Sequence, residues 1–367
     1  MKFKKIIDAD NFDKSNYTET WIINNKQTEV DITTGKKCDI FDLKKNALSN
    51  FDEKALEIKK SRENIYNNKK INIHSCPICE DSTSKSQQIA LIYNADYRKC
   101  NNCGHLYVCN RISSQEISDF YKNNKSYSDT YTNSQKSKSR IKNVIEDKVS
   151  WVASKYKKHY KTQPSTVLDV GCGGGHFVKS CFDFGLKCDG IEISDNSVEF
   201  AREVFGLNLI HGDLNLTTLG KKYDLITLWG IIEHVEDPVQ LINNCKKALT
   251  GNGMLVLTSP NLNSFSSYVQ ISQNKNIIRH LDPLGHIHVF SEKSMCKMLS
   301  DCGFIPKFAW YFGMDGYETI IQTAKALNIQ DSIQPNEDIK NLSNSIQALA
   351  DKQKASDSFA FACTLNT

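Results

Sequence analysis

The pattern of apolar and polar positions changes character near residue 160. Before it, apolar residues are scattered among Lys, Asn, Ser and Asp; after it, short apolar runs alternate with stretches of helical period. Val167, Leu168 and Val170 are apolar without alternation, which predicts a buried parallel strand. That strand runs into glycines at 171, 173, 174 and 175, then into the helical pattern His176–Phe182. Further strands are predicted at 186–193, 207–214, 223–229 and 254–261, with helices between them at 196–205 and from Asp237-Pro238 to just before Gly251. A helix at about 141–159 (Ile141, Val144, Ile145, Val149, Val152) leads into the first strand. Beyond 262 the periodicity lapses, and this stretch is expected to form a lid. Ser291 then caps a helix, followed by a strand at 304–312, helices at about 315–327 and through Ile339–Leu349, and a last strand, Phe359–Leu365, expected to be antiparallel. Alternating strands and helices of this kind predict an α/β, doubly wound sheet.

Ahead of this lies a different region. Residues 1–70 are polar and poorly periodic, with weak strand signals at Thr20–Ile23 and a helix expected near Asp52–Asn67; no function is assigned to them. Two Cys-x2-Cys pairs follow, Cys76 with Cys79 and Cys100 with Cys103, with a predicted hairpin (Ile89–Tyr93, Tyr97–Lys99) between them. Four thiolates at this spacing predict a closed, structural Zn2+ site that holds the hairpin and performs no chemistry. A redox pair needs only one Cys-x-x-Cys, usually at a helix start. His74, His105 and Cys109 read as bystanders, with His105 the alternative ligand in a three-cysteine site. Ser113 and Glu116 have capping-box spacing for a short helix (Ile117, Phe120, Tyr121), and the Tyr- and Ser-rich stretch to Ser139 reads as a linker. The expected organisation is an N-terminal region (1–70), a zinc ribbon (71–112), a helical linker (113–160) and a main domain (161–367) with its lid at 262–290.

The glycine turn is a nucleotide cradle, because a backbone without Cβ atoms turns sharply and approaches a ligand closely. Spacing decides which nucleotide. A dinucleotide fingerprint starting at Gly171 requires glycine where His176 stands. The pattern present is Asp169, Gly171, Gly173, Gly175. Glu192 ends the second strand, where a carboxylate accepts from a ribose diol. At the end of the third, Asp213 is placed to accept from an adenine amine, with the Leu214 amide against a ring nitrogen. Trp229, after the fourth, is expected to wall the pocket and to offer its face to a cation.

Taken in order, the stretches Val167–Gly175, Gly190–Glu192, Gly212–Leu214, Tyr223–Ile226 and Glu233–Pro238 resemble the class I S-adenosylmethionine (SAM)-dependent methyltransferases, in spacing the branch of the ubiquinone-biosynthesis O-methyltransferases. With the cysteines included, the chain is similar to bacterial methyltransferases that carry an N-terminal zinc knuckle and act in glycan and sugar modification. The resemblance covers about 140–310. It implies a Rossmann-like, mostly parallel seven-stranded sheet preceded by a small zinc-ribbon domain. It also implies SAM as cofactor, with Asp169 near its amino-acid portion, and a small-molecule or glycan acceptor. In-line methyl transfer to a hydroxyl or amine requires removal of a proton as the bond forms. His234 and His286 are the candidate bases, since both places face the methyl end of the cofactor in this fold; His288, out of phase, is expected to face away.

Composition narrows the rest. Net charge is +4, with only six arginines, which disfavours a nucleic-acid partner and so the alternative of an RNA methyltransferase gripping RNA with its ribbon. A non-catalytic SAM- and zinc-binding module is disfavoured by the intact acids at 169, 192 and 213. No apolar run is long enough for a membrane span, and Met1–Asp8 lacks the apolar core of a secretory leader. Of the 13 cysteines, those at 181, 188, 245, 296, 302 and 363 lie in predicted elements, as expected of a reduced, cytoplasmic protein.

Overall fold

The structure, a computed structural model, describes residues 2–6, 14–36, 38, 40–44, 51–68, 70–113, 115–117, 132–268, 280–327, 329 and 336–366. Much of the expected linker, with Phe120 and Tyr121, and the middle of the expected lid lie outside the described residues. In chain order the strands are β1 (Phe3–Ile6), β2 (Asn16–Ile23), β3 (Lys26–Thr34), β4 (Gln87–Ile92), β5 (Ala95–Lys99), β6 (Leu106–Val108), β7 (Val167–Val170), β8 (Cys188–Glu192), β9 (Ile210–His211), β10 (Tyr223–Leu228), β11 (Leu249–Pro260), β12 (His288–Val289), β13 (Phe304–Phe312) and β14 (Ser358–Leu365). They fall into two compact units. The first comprises residues 1–112, 259–297 and 309–360; the second, residues 113–258, 298–308 and 361–367.

In the second unit the strands, with those parts of β13 and β14 that belong to it, follow the order β13-β14-β11-β10-β7-β8-β9. Every pair from β11 to β9 is parallel. Sequence pattern explains the elements. The strands β7 and β10 are buried nearly throughout, which is why they read as unbroken apolar runs. Ser194 caps the helix Asp195–Phe205 by accepting from Ser197, and Gly206 ends it in the left-handed conformation (φ 67°). Asp237 caps Pro238–Ala248 through the Gln240 amide at 2.8 Å, with proline in the first turn. The helix expected from 141 begins earlier, at Ser134. Asn133 caps it, and the stretch Ile141–Ile145 widens to a π turn before Glu146–Tyr160 continues. The polar first turns, Ser134–Arg140, carry no apolar stripe and so left no periodic signal. Residues Phe359–Thr364 of β14 are buried on both faces; their alternation is one of size, Phe against Ala, and not of polarity.

The first unit opens with the antiparallel ladder β1-β2-β3. Asn24 and Asn25, at φ 51° and 64°, form the two-residue turn between β2 and β3. Trp21, Ile23, Val30 and Ile32 bury one face of the ladder. This ladder occupies the polar N-terminal region, where only a weak strand signal was legible. The helix Phe51–Asn68 agrees with the expected one. Strands β4, β5 and β6 form an antiparallel sheet whose fourth strand is β12, in the order β12-β6-β5-β4. Elsewhere in the unit, buried Asp315 accepts from Ser266 at 2.8 Å and buried Asp351 from Ser356 at 2.6 Å; burial pushes both carboxyls up to about 7. Among the described residues no helix is long and apolar enough to cross a membrane.

Gly190, in the middle of β8, is a packing constraint. A Cβ there would lie 2.6 Å from Cys172 Sγ and 2.8 Å from both Leu209 and Val178. Overpacking of this kind costs about 1–3 kcal/mol, so Gly190→Ala is expected to lower Tm by several degrees in a thermal scan. Gly220→Ala, where a Cβ meets nothing within 4 Å, should leave it unchanged.

Candidate cofactor site and cysteine cluster

Parallel pairing brings the ends of β7, β8 and β10 side by side. Asp169 on β7 lies opposite Gly190 on β8 and Thr227 on β10. The carboxyl edge of such a sheet is where open α/β folds bind ligands. Past that edge the chain turns through Gly171, Gly173 and Gly175, all at positive φ (64°, 54° and 76°). At Gly171 a Cβ would collide with Ile231, and at Gly175 it would press to 3.0 Å on Leu207 and 3.2 Å on Ala201. The turn therefore needs glycine for conformation and for space. Gly175 is also the cap residue of the helix His176–Asp183.

Glu192 holds the turn from the neighbouring strand. The Gly173 amide donates to its Oε2 at 2.8 Å, and the Ser194 amide donates to Oε1 at 2.9 Å. Burial pushes the Glu192 carboxyl up, and the amides of Ser194, Gly173 and Ile193 pull the other way. Asp169 is fully buried and accepts from Thr227 Oγ1 at 2.6 Å. Burial raises its carboxyl to about 7, against the opposing pull of the Thr227 hydroxyl and the Lys148 charge. Asp213 is exposed beyond β9, its Oδ1 taken by the Asn215 amide at 2.8 Å, and Leu214 beside it is buried.

Trp229 follows β10. It packs on Phe177 (centroids 5.5 Å apart), and Lys148 Nζ stands 4.5 Å over its ring. Its Nε1 is buried with no partner among the described residues, and so is Oε2 of Glu233, whose carboxyl burial raises to about 8. Two orphaned polar atoms at one sheet edge are a costly arrangement unless a ligand completes them. The Gly230 amide donates to Thr258 Oγ1 at 2.8 Å, fixing the start of the 230–234 turn. His234 Nε2 stands 3.8 Å from Glu233 Oε1. Lys148, on the helix Glu146–Tyr160, thus stands over Trp229, and its charge opposes the rise of both Asp169 and Glu233. A lone lysine on a helix with several lysines gave no sequence signal for that place.

In the first unit, the sulfurs of Cys76, Cys79, Cys100 and Cys103 all lie within 4.8 Å of one another. Cys76 to Cys103 is 3.5 Å and Cys79 to Cys100 is 3.6 Å. Four thiolates around a Zn2+ at about 2.3 Å stand roughly 3.8 Å apart, so the donor set and its spacing fit a tetrahedral metal. The hydrogen bond from Cys103 lowers the Cys76 thiol to about 6. His105 is buried with Nε2 3.0 Å from Nδ1 of His288, and Cys109 donates to Asp96 at 3.1 Å. His286 lies in the same unit, its amide donating to the Asp282 carbonyl at 2.7 Å and its ring stacked 6.0 Å from that of His280.

Comparison with known proteins finds likenesses to methyltransferases. Residues 140–305 match the family model described as a methyltransferase domain. This segment is similar to methyltransferase domains. Over 125 residues the chain is 29% identical to the ubiquinone biosynthesis O-methyltransferase of Coxiella burnetii, covering 32% of this chain and 53% of that one. Its counterpart in Actinobacillus pleuropneumoniae is 33% identical over 106 residues, covering 26% and 45%. The chain thus spans about half the length of the curated relatives it matches. The crystal structure of the plantazolicin methyltransferase BamL, in complex with a triazolic desmethylPZN analog and SAH, matches with a TM-score of 0.44 at 15% identity, over 69% of this chain and 95% of that one.

The raised Asp169 carboxyl has a consequence for stability. Its folded value, about 7, lies above the unfolded value of 3.8, so the folded state holds the proton more tightly. Its contribution is present at low pH and is lost as pH rises from about 4 through 7. Asp169→Asn should therefore raise Tm at pH 8 more than at pH 5 in the ligand-free protein. An equal shift at both values would contradict a protonated, buried Asp169.

Proposed function

We propose that the protein transfers the methyl group of SAM to a hydroxyl, or an amine, of a small acceptor, with sugar, sugar-nucleotide or glycan hydroxyls as the acceptor class. The observation that carries the transferase reading is the glycine turn Gly171–Gly175 tied to Glu192 at the carboxyl ends of β7 and β8. The acceptor class rests on the sequence resemblance alone.

Bound SAM supplies a methyl already activated by its sulfonium. In this reading Gly171, Gly173 and Gly175 let the backbone approach the cofactor. Glu192, which spends one hydrogen bond on Gly173 and one on Ser194, keeps lone pairs on both oxygens for the ribose diol. Asp169 faces the amino-acid portion, with Thr227 fixing its carboxyl plane. A cationic ligand beside Asp169 and Glu233 would favour their ionised forms, reversing the effect of burial. Asp213 and the Leu214 amide take the adenine. Trp229 walls the pocket; Lys148 stands over its ring, and a ligand completes the orphaned Nε1. His234 and His286 are the proton acceptors assigned for the acceptor hydroxyl. The Glu233 carboxyl stands beside His234, Oε1 3.8 Å from Nε2. Cys76, Cys79, Cys100 and Cys103 hold a structural Zn2+, a closed site with no open position for substrate.

Two measurements test this reading. Glu192→Gln keeps the side chain's shape but replaces a charged acceptor. Hydrogen bonds to charged groups are worth about 1.5–3 kcal/mol, so SAH affinity by calorimetry should fall by roughly 10- to 100-fold with the fold intact; unchanged affinity would remove Glu192 from the site. Incubation with methyl-labelled SAM and fractionated cell extract should place label in sugar nucleotides or glycans, and label in RNA instead would overturn the acceptor class. Metal analysis of the same preparation should find about one zinc per chain.

A further inference from the structure

We propose that the helix Phe51–Asn68 and the cysteine ribbon act together as a positioning device for residues 282–288, the segment that carries His286. The catalytic meaning of the device rests on the reading of His286 given above; its geometry lies wholly within the first unit. Arg62 grips Asp282 with two prongs, Nε to Oδ1 at 3.0 Å and Nη2 to Oδ2 at 2.8 Å. Four residues along the same helix, the Tyr66 hydroxyl donates to the Pro283 carbonyl at 2.7 Å. From β5 of the ribbon, the Tyr97 hydroxyl donates to the His286 carbonyl at 3.0 Å. The Val108 amide donates to the Ile287 carbonyl at 3.0 Å. His288 and Val289 then pair with Tyr107 and Leu106 as the fourth strand of the ribbon sheet, and His288 meets His105 at 3.0 Å. Asp282, Pro283 and the four residues 286–289 are thus each bonded to or paired with a group between positions 62 and 108.

The kind of bond matters. Tyr66 and Tyr97 are completely buried, and each hydroxyl is aimed at a main-chain carbonyl. Bonds to carbonyls fix where the backbone runs, and so where the His286 side chain starts, while leaving its ring nitrogens to other partners. Bonds within the segment itself are local, among them the Ile287 amide to the Gly285 carbonyl at 3.2 Å. The Leu284 amide donates to Asp282 Oδ1, and the Gly285 and His286 amides donate to the Asp282 carbonyl. A turn closed mainly on one aspartate, with a glycine at its centre, does not by itself select one direction for His286. The ribbon supplies that selection. The Cys100–Cys103 knuckle leads directly into it, since the Cys100 amide donates to the His105 carbonyl at 2.9 Å. A metal at the four cysteines would therefore stiffen the sheet on which this segment is built. Such an arrangement gives a function to both the N-terminal helix and the closed, chemically inert ribbon. Tyr66, Tyr97 and Arg62 are positioning residues in it, and none need touch an acceptor.

The test uses the full-length, zinc-loaded protein and the variants Tyr97→Phe and Tyr66→Phe, each of which removes one hydroxyl from a buried ring. Amide hydrogen exchange is read for peptides covering 282–290 and, as a control, 167–178. Zinc content, SAH affinity and methyl transfer from labelled SAM to the accepting extract fraction are read in parallel. Loss of one such bond should speed exchange in 282–290 by about tenfold and leave zinc content, SAH affinity and exchange in 167–178 unchanged. Transfer should fall through kcat/KM for the acceptor fraction, with KM for SAM unaltered. Unchanged exchange in 282–290 overturns the proposal, and so does faster exchange with full transfer. Should Tyr97→Phe not fold, Tyr66→Phe carries the same readouts. If His286→Gln transfers normally while a Phe variant does not, the effect does not act through His286 and the device is refuted. Wild-type protein that transfers no label refutes the functional reading instead, and exchange in 282–290 still decides the device.

Discussion

Hydrogen bonding between adjacent parallel strands is the constraint on which the candidate cofactor site depends. Because β7 lies between β8 and β10 in fixed register, Asp169, Gly190 and Thr227 share one level of the sheet. One level further on, the glycine turn, Glu192 and Trp229 share its carboxyl edge. The bond from the Gly173 amide to Glu192 then stitches the turn to the second strand. A one-residue slip of β8 would send Glu192 to the opposite face of the sheet and cancel that stitch. Gly190, packed against Cys172, Leu209 and Val178, leaves no room for such a slip.

Around this frame the unit buries acidic side chains in surroundings that favour their neutral forms. Asp169 and Glu233 both have their carboxyls raised by burial, and Lys148 is the charge that opposes the rise in both cases. Trp229 Nε1 and Glu233 Oε2 have no partner among the described residues. A structure built only for stability would not retain such groups, since an unsatisfied buried donor or acceptor costs about 1–3 kcal/mol. Their placement at the edge where open α/β folds take ligands supplies the reason they are tolerated.

In the first unit several buried side chains bond one another or the backbone: Tyr66 and Tyr97 reach carbonyls, Arg62 reaches Asp282, and Asp315 and Asp351 accept from serines. The four cysteines hold the same economy at the ribbon, where thiol meets thiol at 3.5–3.6 Å. Polar groups used in this way fix the course of the main chain in segments that lack a regular ladder of their own.

The sequence by itself determined what depends on neighbours along the chain. Strands β7, β8 and β10, the glycine turn, the caps at Ser194 and Asp237 and the pairs of cysteines were legible, because each is a local pattern of apolar period, φ requirement or ligand spacing. The ladder β1-β2-β3 was legible only as a weak strand signal, because a polar, Asn-rich stretch hides an alternation that buries a single face. The early helix start at Ser134 was hidden for the same reason. Tertiary structure alone decided the rest. It placed Lys148 over the Trp229 ring, joined His288 to the sheet of β4, β5 and β6 some 180 residues away in sequence, and set Tyr66 and Tyr97 on the carbonyls of Pro283 and His286. These are pairings between distant segments in which each residue alone is an ordinary helix, strand or loop residue. Nothing in local propensity distinguishes them, because the partner that gives each its meaning is supplied by the fold.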